Sequence, residues 1–190
     1  RPKEGETVCG DTVVSFRAEG GLLCLRLADG MGSGEAARRE SALTCRLLEQ
    51  FLQAGIEPEA AMKTLNAAMA LRGAETGSFT TIDLITCRPE TGEAAFFKYG
   101  AAPSYVKKGG TVRRITGGTL PAGLRGGAFE RGFQFLNAEL DFTGGAVQLC
   151  QFGGTALGFS FDHDAEGLKI QMKKRIMRAI RSRGRWKERP

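Results

Sequence analysis

The chain has 190 residues, of which 42% are hydrophobic and 25% are charged, and its net charge is +6. This length and composition fit one domain with a single buried core, and they exclude collagen-like and wholly disordered chains. The sequence has no run of 18 or more apolar residues, so it contains no segment of the kind that spans a membrane as a helix.

The first predicted element is a β-hairpin. Residues 12–17 and 22–28 are rich in Val, Leu and Phe, and residues 18–21 between them (Ala-Glu-Gly-Gly) have the composition of a turn. Asp11 and Asp29 lie at equal distances from position 20, and such positions face each other in an antiparallel hairpin. The sequence therefore predicts that these two carboxylates meet at the open end of the hairpin.

Two helices are predicted after the hairpin. From Ser33 onward, small and apolar residues recur at intervals of three and four and define one face of a helix, which includes Leu47 and Phe51. Gly55 ends this helix, and Pro58 begins a second helix that extends to about Arg72. The apolar face of the first helix is predicted to pack on the hairpin.

The hydrophobic period then changes from that of helices to that of strands. Short strands separated by turns are predicted over residues 79–87, 93–99, 104–107 and 111–115. A weaker strand pattern covers residues 129–136 and 146–152. A hairpin, two helices and a series of strands predict an α+β fold in which helices pack on antiparallel sheet.

The basic charge of the chain is concentrated at its C-terminus. Residues 169–190 contain ten Lys or Arg and one Glu, whereas the other 168 residues contain 17 basic and 20 acidic side chains. We therefore predict a domain over residues 1–168 and a basic C-terminal helix or tail over residues 169–190, helical from Lys169 to Ser182. Such a tail also suits contact with acidic lipid or nucleic acid, but a solubilising end is the preferred interpretation.

Asp11, Asp29 and the glycine-rich segment 30–34 form the cluster with the clearest chemical meaning. Hard divalent cations prefer oxygen ligands, and two facing carboxylates with backbone carbonyls and water suit magnesium or manganese. The same spacing also has a purely structural interpretation, in which Asp11 flanks a strand, Asp29 opens a turn and the glycines shape that turn. Spacing alone leaves both interpretations open.

A dinucleotide site is the competing motif. Residues 32–37 match G-x-G-x-x-A between a predicted strand and a predicted helix. That fold also requires a parallel strand after the helix, ending in an acidic residue that holds the ribose. Here the helix is followed by Gly55-Ile56-Glu57-Pro58 and a second helix, so the dinucleotide interpretation is disfavoured.

Several segments are similar to the SpoIIE branch of the PPM protein phosphatases, and they occur in family order over roughly residues 5–124. They are Gly10-Asp11, residues 28–41 (ADGMGSGEAARRES), 47–52 (LLEQFL), 80–84 (TTIDL), 98–104 (KYGAAPS) and 120–123 (LPAG). The segment Asp-Gly-Met-Gly-Ser-Gly, with Gly-Asp eighteen residues earlier, is the most specific part of this resemblance.

The resemblance implies an α-β-β-α sandwich of antiparallel sheets, two Mn²⁺ or Mg²⁺ ions, and hydrolysis of phosphoserine or phosphothreonine. The implied substrate is an anti-anti-sigma-like phosphoprotein of sporulation or stress signalling, and a homodimer is compatible with it. By match to the motif, Asp11 and Asp29 are catalytic metal ligands, and the carbonyl oxygen of Gly30 is a further ligand. Asp83 lies in a matching strand, where a structural role is preferred.

Arg38 and Arg39, in the same matching segment, are suited to attract phosphate. An exposed helix face is the commoner explanation of two such arginines.

The chain departs from the family pattern after residue 124, so its C-terminal part is atypical. The family has a metal-binding Asp at the end of a late strand, where this chain has Phe152, and a later Asp pair has no clear counterpart. Asp162 and Asp164 flank the only histidine, His163, in a context that does not match, and His163 is interpreted as a solvated loop residue. The resemblance therefore provides matching ligands for one metal ion and not for the second. The alternative function is a phosphatase-like binding or regulatory module that binds one cation weakly and hydrolyses slowly or not at all.

The five cysteines indicate a reducing environment. They are odd in number, widely spaced and without a Cys-x-x-Cys pair, which disfavours both a disulfide framework and a zinc site. We expect buried structural thiols and a cytoplasmic location. The chain begins Arg1-Pro2-Lys3, as expected of a piece of a longer protein whose membrane anchor, where it has one, lies outside this segment.

Overall fold

The computed structural model describes residues 4–108, 111–124, 134–139, 147–152, 156–164 and 167–172. These residues contain two α-helices, α1 (Gly34–Gln53) and α2 (Pro58–Thr76). They also contain ten strands: β1 (Asp11–Arg17), β2 (Leu23–Gly30), β3 (Thr80–Cys87), β4 (Glu93–Tyr99), β5 (Ser104–Lys108), β6 (Thr111–Ile115), β7 (Gln134–Glu139), β8 (Val147–Phe152), β9 (Ala156–Asp164) and β10 (Gly167–Met172).

The strands form two antiparallel sheets of five strands each. The first sheet has the order β1-β2-β3-β4-β7, and the second has the order β10-β9-β8-β5-β6. The short segment 100–103 carries the chain from β4 in the first sheet to β5 in the second. Because β7 returns to the edge of the first sheet, the sequence between β6 and β7 joins the two sheets a second time.

The predicted hairpin and both predicted helices are confirmed. β1 and β2 pair antiparallel, and Asp11 is the register partner of Asp29. A short 3-10 turn over Glu19–Gly21 joins them, with Gly20 at a φ of 67°, a left-handed conformation that glycine adopts without steric cost. α1 ends just before Gly55, which has a positive φ as a helix terminator should, and α2 begins at Pro58.

Both helices bury their apolar sides against one face of the first sheet. Leu48 and Leu52 of α1 and Met62 and Leu65 of α2 are at most 2% exposed. They share a cluster with residues from alternate positions of the central strands, Cys24, Ile82, Leu84, Phe97 and Tyr99. The remaining positions, such as Leu25, Ile85 and Phe96, lie on the opposite face and are also buried.

The α+β class with two antiparallel sheets and a helical layer on the first sheet is confirmed. Within the part of the chain that the structure describes, no helix covers the second sheet. Neither α1 nor α2, the two helices of the described residues, is apolar enough over sufficient length to traverse a lipid bilayer.

The C-terminal third differs most from the sequence-based expectation. The strand expected over residues 129–136 begins at Gln134, and residues 129–133 lie outside the described residues. The helix expected from Lys169 is wrong over residues 169–172, which end β10, and residues 173–182 lie outside the described part. His163 lies in β9 and not in a loop. The strand β10 extends across the predicted domain boundary at residue 168. The division into a domain and a tail stays a prediction.

Three of the described cysteines behave as structural thiols, whereas Cys9 is half-buried and its thiol donates to Asp11 Oδ2 at 3.5 Å. Cys24, Cys45 and Cys87 are buried, and burial raises the pKa of Cys24 to about 12 and the pKa values of Cys45 and Cys87 to about 11. These three thiols therefore stay protonated at neutral pH, which excludes them as nucleophiles because the thiolate is the reactive form.

Candidate functional site

The two candidate carboxylates lie at one end of the first sheet. Asp11 is the first residue of β1, and Asp29 is the next-to-last residue of β2, directly across from it. Both side chains are half-buried. They lie on the sheet face opposite to α1, because the adjacent residues Thr12 and Ala28 occupy the alternate positions and Thr12 bonds to α1. The predicted meeting of Asp11 and Asp29 is therefore confirmed at the level of strand register.

The carbonyl oxygen of Gly30 and the Asp29 carboxylate both lie close to Gly10. A Cβ atom built on Gly10 would lie 3.9 Å from Asp29 Oδ1 and also 3.9 Å from the Gly30 carbonyl oxygen. A carboxylate oxygen and a backbone carbonyl oxygen thus both border the space next to Gly10. This arrangement brings together the three residues that the sequence singled out.

Two glycines allow α1 to approach this point closely. A Cβ on Gly30 would lie 2.1 Å from the carbonyl oxygen of Ala37, and a Cβ on Gly10 would lie 3.0 Å from the Cβ of Ala37. The first distance is a severe clash with backbone, so the first turns of α1 pack on the strand end only because residue 30 has no side chain.

Ser41 ties the start of β1 to α1. Its side chain is fully buried, and its hydroxyl donates to the carbonyl oxygen of Gly10 at 2.6 Å and lies 2.7 Å from Thr12 Oγ1. In the sequence Ser41 is only one of several small residues on the apolar helix face, so nothing marked it as an anchor for Gly10. The contact fixes the backbone on both sides of Asp11.

The N-terminal segment contributes an acidic side chain that the sequence analysis did not identify. Ser33, just before α1, donates its hydroxyl hydrogen to Glu6 Oε1 at 2.7 Å. A Cβ on Gly34 would lie 2.3 Å from Glu6 Oε2, so this carboxylate covers the first residue of α1. A carboxylate is favoured there by the positive end of the helix dipole.

Arg38 and Arg39 lie on the exposed side of α1. Their side chains are 54% and 79% exposed, and each contacts Glu35 at 3.5 Å. The exposed helix face therefore accounts for them, and their charge is partly neutralised by a neighbour on the same helix.

The second sheet brings Phe152 to the same end of the molecule. Gln151 pairs with Ser104, and the hydroxyl of Ser104 donates to Asp83 of the first sheet at 2.7 Å. Since Asp83 pairs with Leu27, two residues before Asp29, the end of β8 lies at the end of the sheets that holds Asp29. The strand thus ends, at Phe152, at the same end of the sheets as Asp29.

The late carboxylates lie at the other end of the second sheet. Phe152 pairs with Ala156 at the start of β9, whereas Asp162 and Asp164 are at its far end. Asp162 lies six positions after Ala156, or about 20 Å at the usual rise of about 3.3 Å per residue. Both aspartates are therefore remote from the end of the sheets that holds Asp29.

The oxygen donors fit one hard divalent cation. Two carboxylates and a carbonyl are the ligand types that magnesium and manganese prefer, with water completing the shell. Among the described residues there is no group of three or more His, Cys, Asp or Glu side chains that could hold a metal ion.

Comparison with known proteins identifies relatives of this chain. The family model "Stage II sporulation protein E (SpoIIE)" matches residues 19–151. Stage II sporulation protein E of Priestia megaterium is 38% identical over 122 residues, which cover 64% of this chain and 21% of that protein. The phosphoserine phosphatase RsbX of Bacillus subtilis is 33% identical over 81 residues, which cover 43% of this chain and 39% of RsbX.

Solved structures give the same result for the fold. The PP2C phosphatase domain of SpoIIE from Bacillus subtilis, solved with a fragment of its regulatory domain, superposes with a TM-score of 0.67 at 28% identity and covers 79% of this chain and 42% of that one. RsbX in complex with magnesium superposes with a TM-score of 0.61 at 20% identity, over 80% of this chain and 69% of RsbX. The latter similarity concerns the fold alone.

Proposed function

Because the chain belongs to the SpoIIE family, we propose that it is a metal-dependent protein serine/threonine phosphatase domain. The observation that carries this proposal is the pairing of Asp11 with Asp29 beside the Gly30 carbonyl oxygen, at one end of a PP2C-type fold. The chain spans about a fifth of the length of the Priestia megaterium protein that it matches. The activity of the whole protein is therefore part of the proposal.

Asp11, Asp29 and the Gly30 carbonyl are proposed to hold a Mg²⁺ or Mn²⁺ ion. A bound divalent cation supplies positive charge to phosphoryl oxygens and acidifies a coordinated water. The two aspartates provide the anionic oxygens that a strongly hydrated cation requires before it gives up water. The packing of α1 on Gly10 and Gly30 and the Ser41 hydrogen bond hold these oxygens in place.

The proposed substrate is a phosphorylated serine on a partner protein. RsbX carries the name of a phosphoserine phosphatase, and the SpoIIE name places relatives of this chain in sporulation. We propose an anti-anti-sigma-like phosphoprotein as the partner, with signalling in sporulation or stress as the role. A cytoplasmic location and a homodimer complete the proposal. The location is supported by Cys24, Cys45 and Cys87, which are buried and form no disulfide, as is usual for proteins of a reducing compartment.

A second candidate function is favoured by one observation. Phe152 ends β8 where the family has a metal-binding aspartate, and Asp162 and Asp164 lie at the far end of β9. A chain that holds only one cation would serve as a phosphatase-like module that binds a phosphoprotein without efficient turnover. The relatives named as phosphatases favour the first candidate.

An assay of phosphoserine-peptide turnover distinguishes the two candidate functions. We expect Mn²⁺-dependent release of phosphate that EDTA abolishes and that Asp29→Asn lowers by about a hundredfold or more, equivalent to about 2.7 kcal/mol of transition-state stabilisation. Asp162→Asn is the matched control and should leave the rate unchanged, because Asp162 lies at the distant end of the second sheet. Peptide binding without phosphate release in any Mn²⁺ concentration would support the binding module instead.

A further inference from the structure

A second buried polar cluster lies between the two sheets. Asp83 of β3 and Lys98 of β4 are register partners, and their side chains are 2% and 1% exposed. Lys98 Nζ donates to Asp83 Oδ2 at 2.5 Å, to the carbonyl oxygen of Ala102 at 2.8 Å and to Ser104 Oγ at 2.8 Å. The three hydrogens of the ammonium group are thus all used.

The cluster joins the first sheet to the second. Ser104 is the first residue of β5, and its hydroxyl donates to Asp83 Oδ2 at 2.7 Å. Ala102 lies in the segment that links β4 to β5. One ammonium group therefore holds a strand of the first sheet, the linker and the first strand of the second sheet together, and we call Asp83, Lys98 and Ser104 the inter-sheet cluster.

The inter-sheet cluster is adjacent to the candidate metal site. Leu27 pairs with Asp83, and Asp29 pairs with Thr81, so Asp83 and Asp29 are diagonal neighbours on the same sheet face. Diagonal neighbours are about 7–8 Å apart. On the second sheet, Ser104 pairs with Gln151, the residue before Phe152. The cluster therefore sits where the separation between Asp29 and the end of β8 is set.

The energetics of the cluster require good geometry. Burial lowers the pKa of Lys98, while the neighbouring Asp83 carboxylate acts in the opposite direction. A buried ion pair compensates its loss of hydration only when its hydrogen bonds are well formed, and an apolar pair of the same size often gives equal stability. Stability alone is thus a weak reason for this cluster, whereas its directional hydrogen bonds fix how the joined strands are oriented, which contacts between apolar side chains do less specifically.

A second ion pair, in which a buried arginine of the same sheet contacts a partly exposed glutamate of α1, provides an internal comparison. Arg26 of β2 is 2% exposed and contacts Glu49 of α1 at 2.7 Å. Arg26 lies on the helix-facing side of the sheet, next to the Phe16 ring, and does not reach the second sheet. It is matched to Lys98 in burial and charge but not in location.

We propose that Asp83, Lys98 and Ser104 are positioning residues for the metal site, which hold the strand segment that carries Asp29 in place against the second sheet. This inference rests on the proposed function only in that Asp29 is taken as a metal ligand. The cluster is not itself proposed to contact substrate or metal and acts through the position of Asp29.

The test is the affinity of the full 190-residue chain for Mn²⁺, measured by isothermal titration calorimetry well below the melting temperature. The double variant Asp83→Asn/Lys98→Met removes both charges and keeps side-chain volume, and Arg26→Met/Glu49→Gln is the matched control. We expect the first variant to weaken Mn²⁺ binding tenfold or more, as is usual when residues that orient metal ligands are lost. The control should stay within about twofold of the unaltered chain.

The milder variant Ser104→Ala keeps the ion pair and removes one link to the second sheet. We expect it to weaken Mn²⁺ binding about threefold, in line with the loss of one hydrogen bond. If the double variant does not fold, Ser104→Ala still tests whether the inter-sheet cluster affects Mn²⁺ binding. Unchanged Mn²⁺ affinity in Ser104→Ala and in any folded double variant would overturn the proposal, and so would an equal loss in the Arg26 control.

Turnover of a phosphoserine peptide by the unaltered chain separates this inference from the proposed function. Mn²⁺ binding without turnover would contradict only the phosphatase activity. Turnover with equal Mn²⁺ affinity in all variants would contradict only the role of the inter-sheet cluster. Absence of Mn²⁺ binding by the unaltered chain would overturn both.

Discussion

Gly30 lies at the end of β2, where the backbone of the proposed metal site packs against α1. The proposed metal site includes the Gly30 carbonyl, and α1 occupies the space where a side chain at position 30 would lie. The sequence marked Gly30 through its resemblance to a family motif, but it gave no sign of what fills that space. Only the contact with Ala37 explains why the residue lacks a side chain.

We predict that Gly30→Ala destabilises the fold by about 1–3 kcal/mol, because a methyl group placed against backbone forces α1 to shift. The same shift should weaken Mn²⁺ binding, since the Gly30 carbonyl moves with the helix. Gly118→Ala is the control, because a Cβ at that position meets nothing within 4 Å. Differential scanning calorimetry with and without Mn²⁺ measures both effects, and equal melting temperatures for the two variants would contradict the prediction.

At the scale of elements, the N-terminal two-thirds of the fold could be read from the sequence. The hairpin, α1 and α2 each have a clear hydrophobic period and a turn or a helix-ending residue at each boundary. β9 and β10 were missed even though Leu157, Phe159 and Phe161 alternate with small or polar residues, as do Leu168, Ile170 and Met172. The basic residues from Lys169 onward obscured the second alternation, and a helix was predicted in its place.

This correction changes what truncation should do. Residues 173–190 carry nine Lys or Arg and one Glu, whose mutual repulsion disfavours a compact structure. We predict that deletion of residues 173–190 lowers the melting temperature by less than about 2 °C, which is below about 1 kcal/mol for a domain of this size.

Deletion from Gly167 should have a larger effect, because it removes β10 and leaves β9 as an unpaired edge of the second sheet. We expect a fall of more than about 5 °C, measured by circular dichroism on the two truncated chains side by side. A large loss from the shorter deletion would mean that residues 173–190 are docked on the domain.

At the scale of the whole molecule, some residues in and around the candidate site could be predicted from the sequence and others could not. Asp11 and Asp29 were predicted because one hairpin turn fixes their register. The inter-sheet cluster was not predicted, because its members come from strands of different sheets and meet only after the segment 100–103 crosses between them. Sequence reasoning gave Asp83 a structural role, which its contacts with Lys98 and Ser104 confirm, but it did not identify those partners.

The position of Phe152 leads to the last prediction. β8 ends at the same end of the sheets as Asp29, so an acidic residue at position 152 would extend the oxygen donors there from one strand pair to both sheets. We predict that the unaltered chain binds one Mn²⁺ and that Phe152→Asp binds two, measured by native mass spectrometry and calorimetry. Because two ions offset more phosphoryl charge than one, turnover of a phosphoserine peptide should rise about tenfold or more, equivalent to about 1.4 kcal/mol.

The control for this variant is Gln148→Asp, which places the same carboxylate in the same strand but four residues earlier, toward the opposite end of β8. Successive even-numbered positions of a strand share one face, so the two variants differ in their place along β8 and not in the face that they occupy. A second ion in both variants would show that added charge alone is sufficient. A single ion in Phe152→Asp would show that the end of β8 does not reach the metal site. Residues other than Phe152 would then have to limit the chain to one ion.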